Sequence, residues 1–304
     1  MSLHIAVLLG GPGAEREVSL RSGSAVAAAL RQLGHTVIEV DVRDETFALP
    51  ANIDIAFNVI HGTFGEDGVL QTELEKRGVG YTGDSPKANQ IAFDKILSKN
   101  AFREAGIATP RSETISAGSR PTLPLPLVVK APRQGSSVGV YICKNALELD
   151  SALTAVTEFG EDILIEEFIQ GDELTVGILG DLTLPIILIC PKDGIYDFKN
   201  KYPWLNPGGA AEHFCPAPLD TALTEKIQAL ALAAHRSLGL EVYSRVDLLL
   251  ASNGEPFVLE VNTVPGMTES SLLPEAAGVA GLSMGDLCER IIHLSQTRLK
   301  GVAS

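Results

Sequence analysis

The chain has 304 residues, 45% of them hydrophobic, with 24 Lys and Arg against 38 Asp and Glu, giving a net charge of −14. That length exceeds one ordinary core and implies two or three folded domains. The acidic balance excludes sequence-independent nucleic-acid binding, which runs on clustered basic side chains, but not a small anionic ligand, for which local charge decides. The four cysteines, Cys143, Cys190, Cys215 and Cys288, lie far apart with no C-x-x-C pair. A zinc site or disulfide framework is therefore not expected, and a reducing, cytoplasmic location is. No stretch is long enough to cross a membrane. The apolar run Ile5 to Leu9 is too short for a signal peptide and has no basic region before it.

Residues 1–86 read as alternating strand and helix. HIAVLLGG is a buried strand ending in glycines, SLRSGSAVAAALRQLG a helix stopped at Gly34, and TVIEVDV and DIAFNVIHG are further strands. Such alternation predicts a parallel, Rossmann-like sheet with helices on its faces. Ligands of such sheets sit beyond the carboxyl ends of the strands. Two polar loops fall there, GGPGAEREVS and HGTFGEDG. The first is not a dinucleotide fingerprint, because Arg16 stands where the third glycine belongs. Residues 87–175 form a second unit: the helix FDKILSKNAFREAG, the strands LPLVVKAP and SVGVYIC, the helix ALELDSALTAVTEF and the strand DILIEEFI. Residues 176–304 hold the strands ELTVGILG and LTLPIILIC and a helix near 221–237. A hairpin at 243–263 and a closing helix near 283–298 follow. Between them runs the long polar stretch DFKNKYPWLNPGGAAEHF, of a kind that often serves as a lid.

The hairpin YSRVDLLLA-SNGE-PFVLEVN carries a register argument. Asn253-Gly254 predicts a two-residue type I′ turn. Counting outward then sets Leu249 opposite Val258, Asp247 opposite Glu260 and Arg245 opposite Asn262. Alternation places Val246, Leu248, Leu250, Phe257, Leu259 and Val261 on a core face, and Arg245, Asp247, Glu260 and Asn262 on the other. Two opposed carboxylates repel, so a cation or a basic side chain should compensate. Asp, Glu and Asn oxygens suit Mg²⁺. The plainer alternative is a solvated face with Arg245 as counter-charge.

KAPRQGSSVGV, Lys130 to Val140, looks like a phosphate cradle, yet no Gly-Lys dipeptide exists, so this is no P-loop. GSSVG can offer backbone N–H groups and the hydroxyls of Ser136 and Ser137 to phosphate. The lysine must then come from elsewhere. Lys130 ends the apolar run LPLVVK, and a partly buried lysine wants an anion. Lys95 sits on the preceding helix.

HGTFGEDG, VVKAPRQGSSVGV, ILIEEFI-QGDELTV, SRVDLLL and LEVNTVPGMT, in this order, resemble the D-alanine–D-alanine ligases of the ATP-grasp superfamily, and GGPGAEREVSL resembles that family's first loop. The resemblance covers nearly the whole chain. It implies a two-part ATP-grasp fold after the N-terminal domain, with ATP between two α+β units. It also implies a reaction in which one D-alanine carboxylate attacks the γ-phosphate of ATP. The amine of a second D-alanine then displaces phosphate from the acyl phosphate, forming the D-alanyl-D-alanine used for peptidoglycan precursors. By motif position, Lys95 and Lys130 look like phosphate-binding lysines, with Ser136 and Ser137 in the loop. Glu166 and the backbone of EEFI, with Glu167 and Ile169, resemble the adenine clamp, and Glu173 the ribose ligand. Asp247, Glu260 and Asn262 match the ligands of Mg²⁺, two ions being implied and Mn²⁺ a possible substitute. Arg245 and the Gly266 N–H match the groups that stabilise the intermediate. Glu15, with His61 close by, resembles the anchor of the first D-alanine ammonium, and Ser271 the holder of the second carboxylate. Ser136 and Tyr202, with Glu15, resemble the network assisting deprotonation of the second substrate, and Lys201 a lid lysine. A homodimer is implied as well.

Each residue has a plainer reading, such as helix-terminus charge for Glu15 or turn residue for Ser136. What favours the functional reading is that all of them match one site. Ala131-Pro132, Glu167, Val264 and Phe198 depart from the family pattern without removing a chemical group. Three alternatives stand beside this reading: a D-alanyl-D-lactate or D-alanyl-D-serine ligase, another ATP-grasp carboxylate-amine ligase, and a nucleotide-binding module without ligase activity.

Overall fold

A computed structural model describes residues 2–190 and 211–302. The chain opens with β1 (His4–Gly10), α1 (Arg16–Gln32), β2 (Thr36–Val42) and β3 (Ile55–Asn58), forming a parallel sheet in the order β2-β1-β3. From Ile5 to Leu9, β1 is apolar because both of its faces are covered. Ile5, Val7 and Leu9 pack with Val26, Ala27 and Leu30 of α1. Ala6 and Leu8 pack with Leu70 and Leu74 of α2 (Val69–Lys76) on the opposite side. Next come α3 (Pro86–Phe93) and α4 (Lys95–Glu104). Ser85 caps α3 by accepting from the Ala88 N–H, and Asp94 caps α4 by accepting from the N–H groups of Ile96 and Leu97.

The second sheet is antiparallel, in the order β4-β7-β5-β6, from β4 (Ser112–Ser116), β5 (Leu127–Lys130), β6 (Val140–Cys143) and β7 (Asp162–Glu167). α5 (Ala146–Val156) covers one face, burying Leu149, Ala152 and Val156 against Leu127, Val129, Ile163 and Ile165. Alternation turns Lys130 and Glu166 to the other face. The third sheet runs β11-β10-β8-β12-β13, with β9 also paired to β8. Its strands are β8 (Gly171–Leu179), β9 (Leu182–Thr183), β10 (Ile187–Cys190), β11 (Glu212–Phe214), β12 (Tyr243–Ala251) and β13 (Pro256–Asn262). α6 (Thr221–Ser237) covers one face, and α7 (Leu272–Val279) and α8 (Met284–Val302) complete the chain. β8 lies wholly in the third sheet and so spans position 175, where the sequence divides the units. Ala88, Ala92 and Phe102 of α3 and α4 are buried with Leu174, Val246 and Ile227 under that same sheet. α7 and α8 share a core with α1 and β1.

The β12–β13 hairpin corrects one detail and keeps the result. Gly254 N–H donates to the Ala251 carbonyl at 2.8 Å and Ala251 N–H to the Glu255 carbonyl at 2.9 Å, closing a three-residue loop. Positive φ in this turn falls on Gly254 alone, at +81°. One residue without a Cβ satisfies it, and no type I′ turn forms. The longer loop sets Leu248, not Leu249, opposite Val258. A β-bulge then absorbs the shift, so Asp247 still faces Glu260 and Arg245 still faces Asn262. The buried face of β13 is consequently Pro256, Val258 and Val261, while Phe257 and Leu259 are only half-buried.

A polar clamp joins the first unit to the third. Asp84, 2% exposed, accepts from the N–H groups of Glu241 and Val242 at 2.7 and 3.1 Å. Arg298 donates to the Gly83 carbonyl at 3.0 Å, with its guanidinium over the Tyr81 ring. Burial pushes the Asp84 carboxyl up to about 7. An acid whose folded pKa lies above its unfolded value, about 3.9, loses stabilising contribution as pH rises between the two. Asp84→Asn keeps the acceptor and removes the charge. The stability of this variant relative to the wild type should therefore improve from pH 5 to pH 8, as read by thermal melting at both pH values.

Candidate active site

The loop between β5 and β6 is a built structure. Ala131 N–H donates to the Gly139 carbonyl at 2.9 Å and Val138 N–H to the Gly135 carbonyl at 3.0 Å. Ser136 and Ser137 both hold positive φ, +51° and +61°. Two successive non-glycine residues in this region cost about 1–3 kcal/mol each, and such turns make anion-binding concavities of backbone N–H groups. Ser136 Oγ donates a short hydrogen bond to Glu15 Oε1. Glu15 stands at the N-cap of α1 but makes no side-chain cap bond. Its carboxylate is used across the cleft, on the loop.

Three buried lysines approach the same cleft. Lys95 Nζ lies 2.9 Å from Glu260 Oε2 and donates to the Gln134 carbonyl at 2.8 Å. Lys130 Nζ lies 2.6 Å from Glu166 Oε2, and Lys99 Nζ lies 2.5 Å from Glu166 Oε1. Burial works to raise the Glu166 carboxyl, but the Lys130 and Lys99 ammonium groups outweigh it and hold the carboxyl below its ordinary range. Burial brings Lys99 down to about 8. Lys99 was missed by the motif reading. Its signal was helical spacing, since it sits four residues after Lys95 on one face of α4.

On β12 and β13 the expected compensation of opposed carboxylates is present. Arg245 grips Asp247 with Nε to Oδ1 at 2.9 Å and Nη2 to Oδ2 at 2.7 Å. Thr175 Oγ1 donates to Asp247 Oδ1 at 2.7 Å and Asn262 Nδ2 to Oδ2 at 3.0 Å. Glu260 takes Lys95. Carboxylate and amide oxygens gathered on one face, with basic nitrogens already drawn onto them, fit a hard divalent cation. Three further residues are expected to border a nucleotide. Glu167 is held by Arg111, with Nε to Oε2 at 2.6 Å; Ile169 is half-buried, and Glu173 pairs between Ile189 and Leu249.

The far end of the cleft carries amino-acid-sized polarity. His61 Nδ1 donates to the Val264 carbonyl at 2.8 Å, since a carbonyl oxygen can only accept. Its Nε2 is 3.2 Å from Ser22 Oγ, which accepts from the Met267 N–H at 3.1 Å. Burial opposes charging of His61, yet the Glu66 and Glu15 carboxylates outweigh it and raise its pKa. Burial raises Glu66 in turn. Glu66 was also unassigned from sequence, although it lies inside HGTFGEDG. Ser271, at the N-cap of α7, accepts from the Thr268 N–H at 3.0 Å. Gly266 packs so closely that a Cβ would lie 2.7 Å from Ser271 Oγ. The structure thus gathers Glu15, His61, Ser136, Gly266 and Ser271 at one end, and the lysines, Asp247, Glu260 and Asn262 at the other. Lys201 and Tyr202 lie outside the described residues.

A strained glycine-serine loop facing a two-carboxylate hairpin, each on its own antiparallel sheet, defines the ATP-grasp class of ligase folds. A family model described as D-ala D-ala ligase C-terminus matches residues 97–293. The chain is 46% identical over 297 residues to the D-alanine–D-alanine ligase of Methylacidiphilum infernorum, covering 98% of this chain and 97% of that one. It also superposes on the crystal structure of D-alanine–D-alanine ligase from Bacillus anthracis complexed with ATP, with TM-score 0.86, 31% identity and complete coverage of both chains. The VanG D-Ala:D-Ser ligase from Enterococcus faecalis gives TM-score 0.84 at 27% identity, over 97% of this chain and 100% of that one. The chain belongs to the D-alanine–D-alanine ligase family.

The bond across the cleft is directly testable. Glu15→Gln should release the loop, and amide hydrogen exchange at residues 135–139 should accelerate about tenfold, the equivalent of one charge-assisted hydrogen bond. Unchanged exchange there would separate Glu15 from the order of the loop.

Proposed function

We propose that this chain joins two D-alanines into D-alanyl-D-alanine, with ATP cleaved to ADP and phosphate through a D-alanyl phosphate, in support of peptidoglycan precursor synthesis. The observation that carries the reading is the Ser136–Glu15 bond, which ties the phosphate loop to the amino-acid end of the cleft. Nucleotide and amino acid are thereby set next to each other, as a phosphoryl transfer to a carboxylate requires.

In this reading ATP lies between the second and third sheets. Lys95 and Lys130, with the N–H groups and hydroxyls of Ser136 and Ser137, hold its phosphates, and Lys201 reaches the γ-phosphate. Glu166, Glu167, Ile169 and Glu173 border the nucleoside. Asp247, Glu260 and Asn262 hold Mg²⁺, two ions with Mn²⁺ an acceptable replacement, which supplies charge neutralisation at the phosphate oxygens. Glu15, with His61 close by, holds the ammonium of the first D-alanine while its carboxylate attacks the γ-phosphorus. Arg245 and the Gly266 N–H stabilise negative charge that develops at the carbonyl under attack. Ser271, at a helix N-terminus, holds the carboxylate of the second D-alanine. The proton of its ammonium leaves through the Ser136, Glu15 and Tyr202 network. The protein works as a homodimer in the cytoplasm. No helix among the described residues is long and apolar enough to cross a membrane.

Mg-ATP should release ADP only when D-alanine is present, and mass analysis should find dialanine. ADP release without dialanine would overturn the substrate assignment. D-serine or D-lactate in competition with D-alanine separates the sister activities, with dialanine expected to dominate at neutral pH. Glu260→Gln should lower turnover about 10²-fold or more while the fold is retained, because it weakens the metal site and also removes a like-charge repulsion. Normal turnover in that variant would refute the metal assignment.

A further inference from the structure

Lys99 is the one buried lysine of the cleft to which the reading above gives no task. It is 1% exposed, and its ammonium touches two groups. One is Glu166 Oε1 on β7, at 2.5 Å. The other is Thr109 Oγ1, to which Lys99 donates at 2.6 Å. Thr109 Oγ1 in turn donates to the Val258 carbonyl of β13 at 2.7 Å, and Val258 N–H donates to the Ala108 carbonyl at 2.8 Å. Residues 108 and 109 thus lie against the strand that carries Glu260 and Asn262.

The charges explain why such a link is needed. Glu166 has two oxygens, one facing Lys99 and the other facing Lys130. With Lys99 present, the trio of two ammonium groups and one carboxylate has a surplus positive charge. Without it, Glu166 and Lys130 form a closed neutral pair in a buried setting, where such a pair is strongly held. A lysine locked in a neutral pair attracts phosphate poorly.

We propose that Lys99 is a positioning residue for nucleotide binding. It pairs ionically with one oxygen of Glu166 so that Lys130 keeps positive charge to offer the phosphates, and through Thr109 it sets that lysine at a fixed place relative to the metal-binding strand. The proposal rests on the reading that the cleft takes ATP.

The test measures Mg-ATP affinity by calorimetry and KM for ATP and for D-alanine, between pH 7 and 9.5. The ammonium of Lys99 faces Glu166 and Lys130 across the cleft and Arg103 on its own helix, and it titrates near 8. Wild-type ATP affinity should therefore weaken above about pH 8, while KM for D-alanine stays level. Lys99→Arg, which cannot lose its charge in this range, should abolish that alkaline weakening. Lys99→Met should weaken ATP about 10- to 100-fold at pH 7, the range for one hydrogen bond to a charged group. Adding Glu166→Gln to Lys99→Met should restore part of that affinity, because Lys130 regains an unpaired charge. A bystander lysine would give additive losses. A flat wild-type profile, an unchanged alkaline limb in Lys99→Arg, or a double variant no better than Lys99→Met would each overturn the proposal. A wild-type chain that binds no Mg-ATP at pH 7 overturns the ATP reading instead, which the calorimetry reports independently of ligation.

Discussion

The cleft depends on one electrostatic constraint: Asp247 and Glu260 stand directly opposite each other on neighbouring strands. Like charges so placed weaken a sheet, and the surrounding structure is arranged around that cost. Arg245 grips Asp247 from its own strand, Thr175 reaches it from β8, and Lys95 reaches Glu260 from α4. Lys95 also holds the Gln134 carbonyl at the entrance of the glycine-serine loop. The carboxylate pair therefore orders more than the hairpin. It helps determine where the helix carrying Lys95 and Lys99 lies, and through Lys95 it is joined to the loop that faces it.

The same principle recurs one step deeper. Glu166 is fully enclosed, yet it stays ionised because two ammonium groups flank it. Breaking such a buried arrangement by removing one partner is far more damaging than never having built it. Buried ions at this density make sense where a polyanion must be received. Basic groups already desolvated and held in position lose little freedom when they meet it.

Much of this was legible in the sequence, for identifiable reasons. The alternating apolar runs gave the parallel sheet, because β1 is covered on both faces and α1 presents one apolar stripe. The carboxylate pair was placed correctly although the turn was not. The three-residue loop and the bulge each shift register by one and cancel at Asp247 and Glu260. Periodicity cannot see a bulge, so Phe257 and Leu259 were put in a core from which Val258 displaces them. Lys99 and Glu66 escaped because single charged residues read as solvated, and only tertiary contacts reveal that Lys99 is buried and Glu66 half-buried. The helices α3 and α4 pack under the third sheet through Ala88, Ala92 and Phe102, a partner that no local pattern names.

The second sheet is attached to the rest of the molecule in an unusual manner. Its apolar core is its own, whereas the first and third units are fused by buried side chains they share. Among the described residues, what crosses to the second sheet is polar and largely charged: Lys99 to Glu166, Arg133 to Asp94, Ser136 to Glu15. A clasp of charges differs from a shared core. It opens without exposing oil to water, and its solvent-facing members, such as Arg133, loosen as salt rises. An anion arriving in the cleft competes for Lys95, whose ammonium also holds the Gln134 carbonyl at the second sheet's loop. Receiving the ligand and holding this sheet in place thus draw on the same charge.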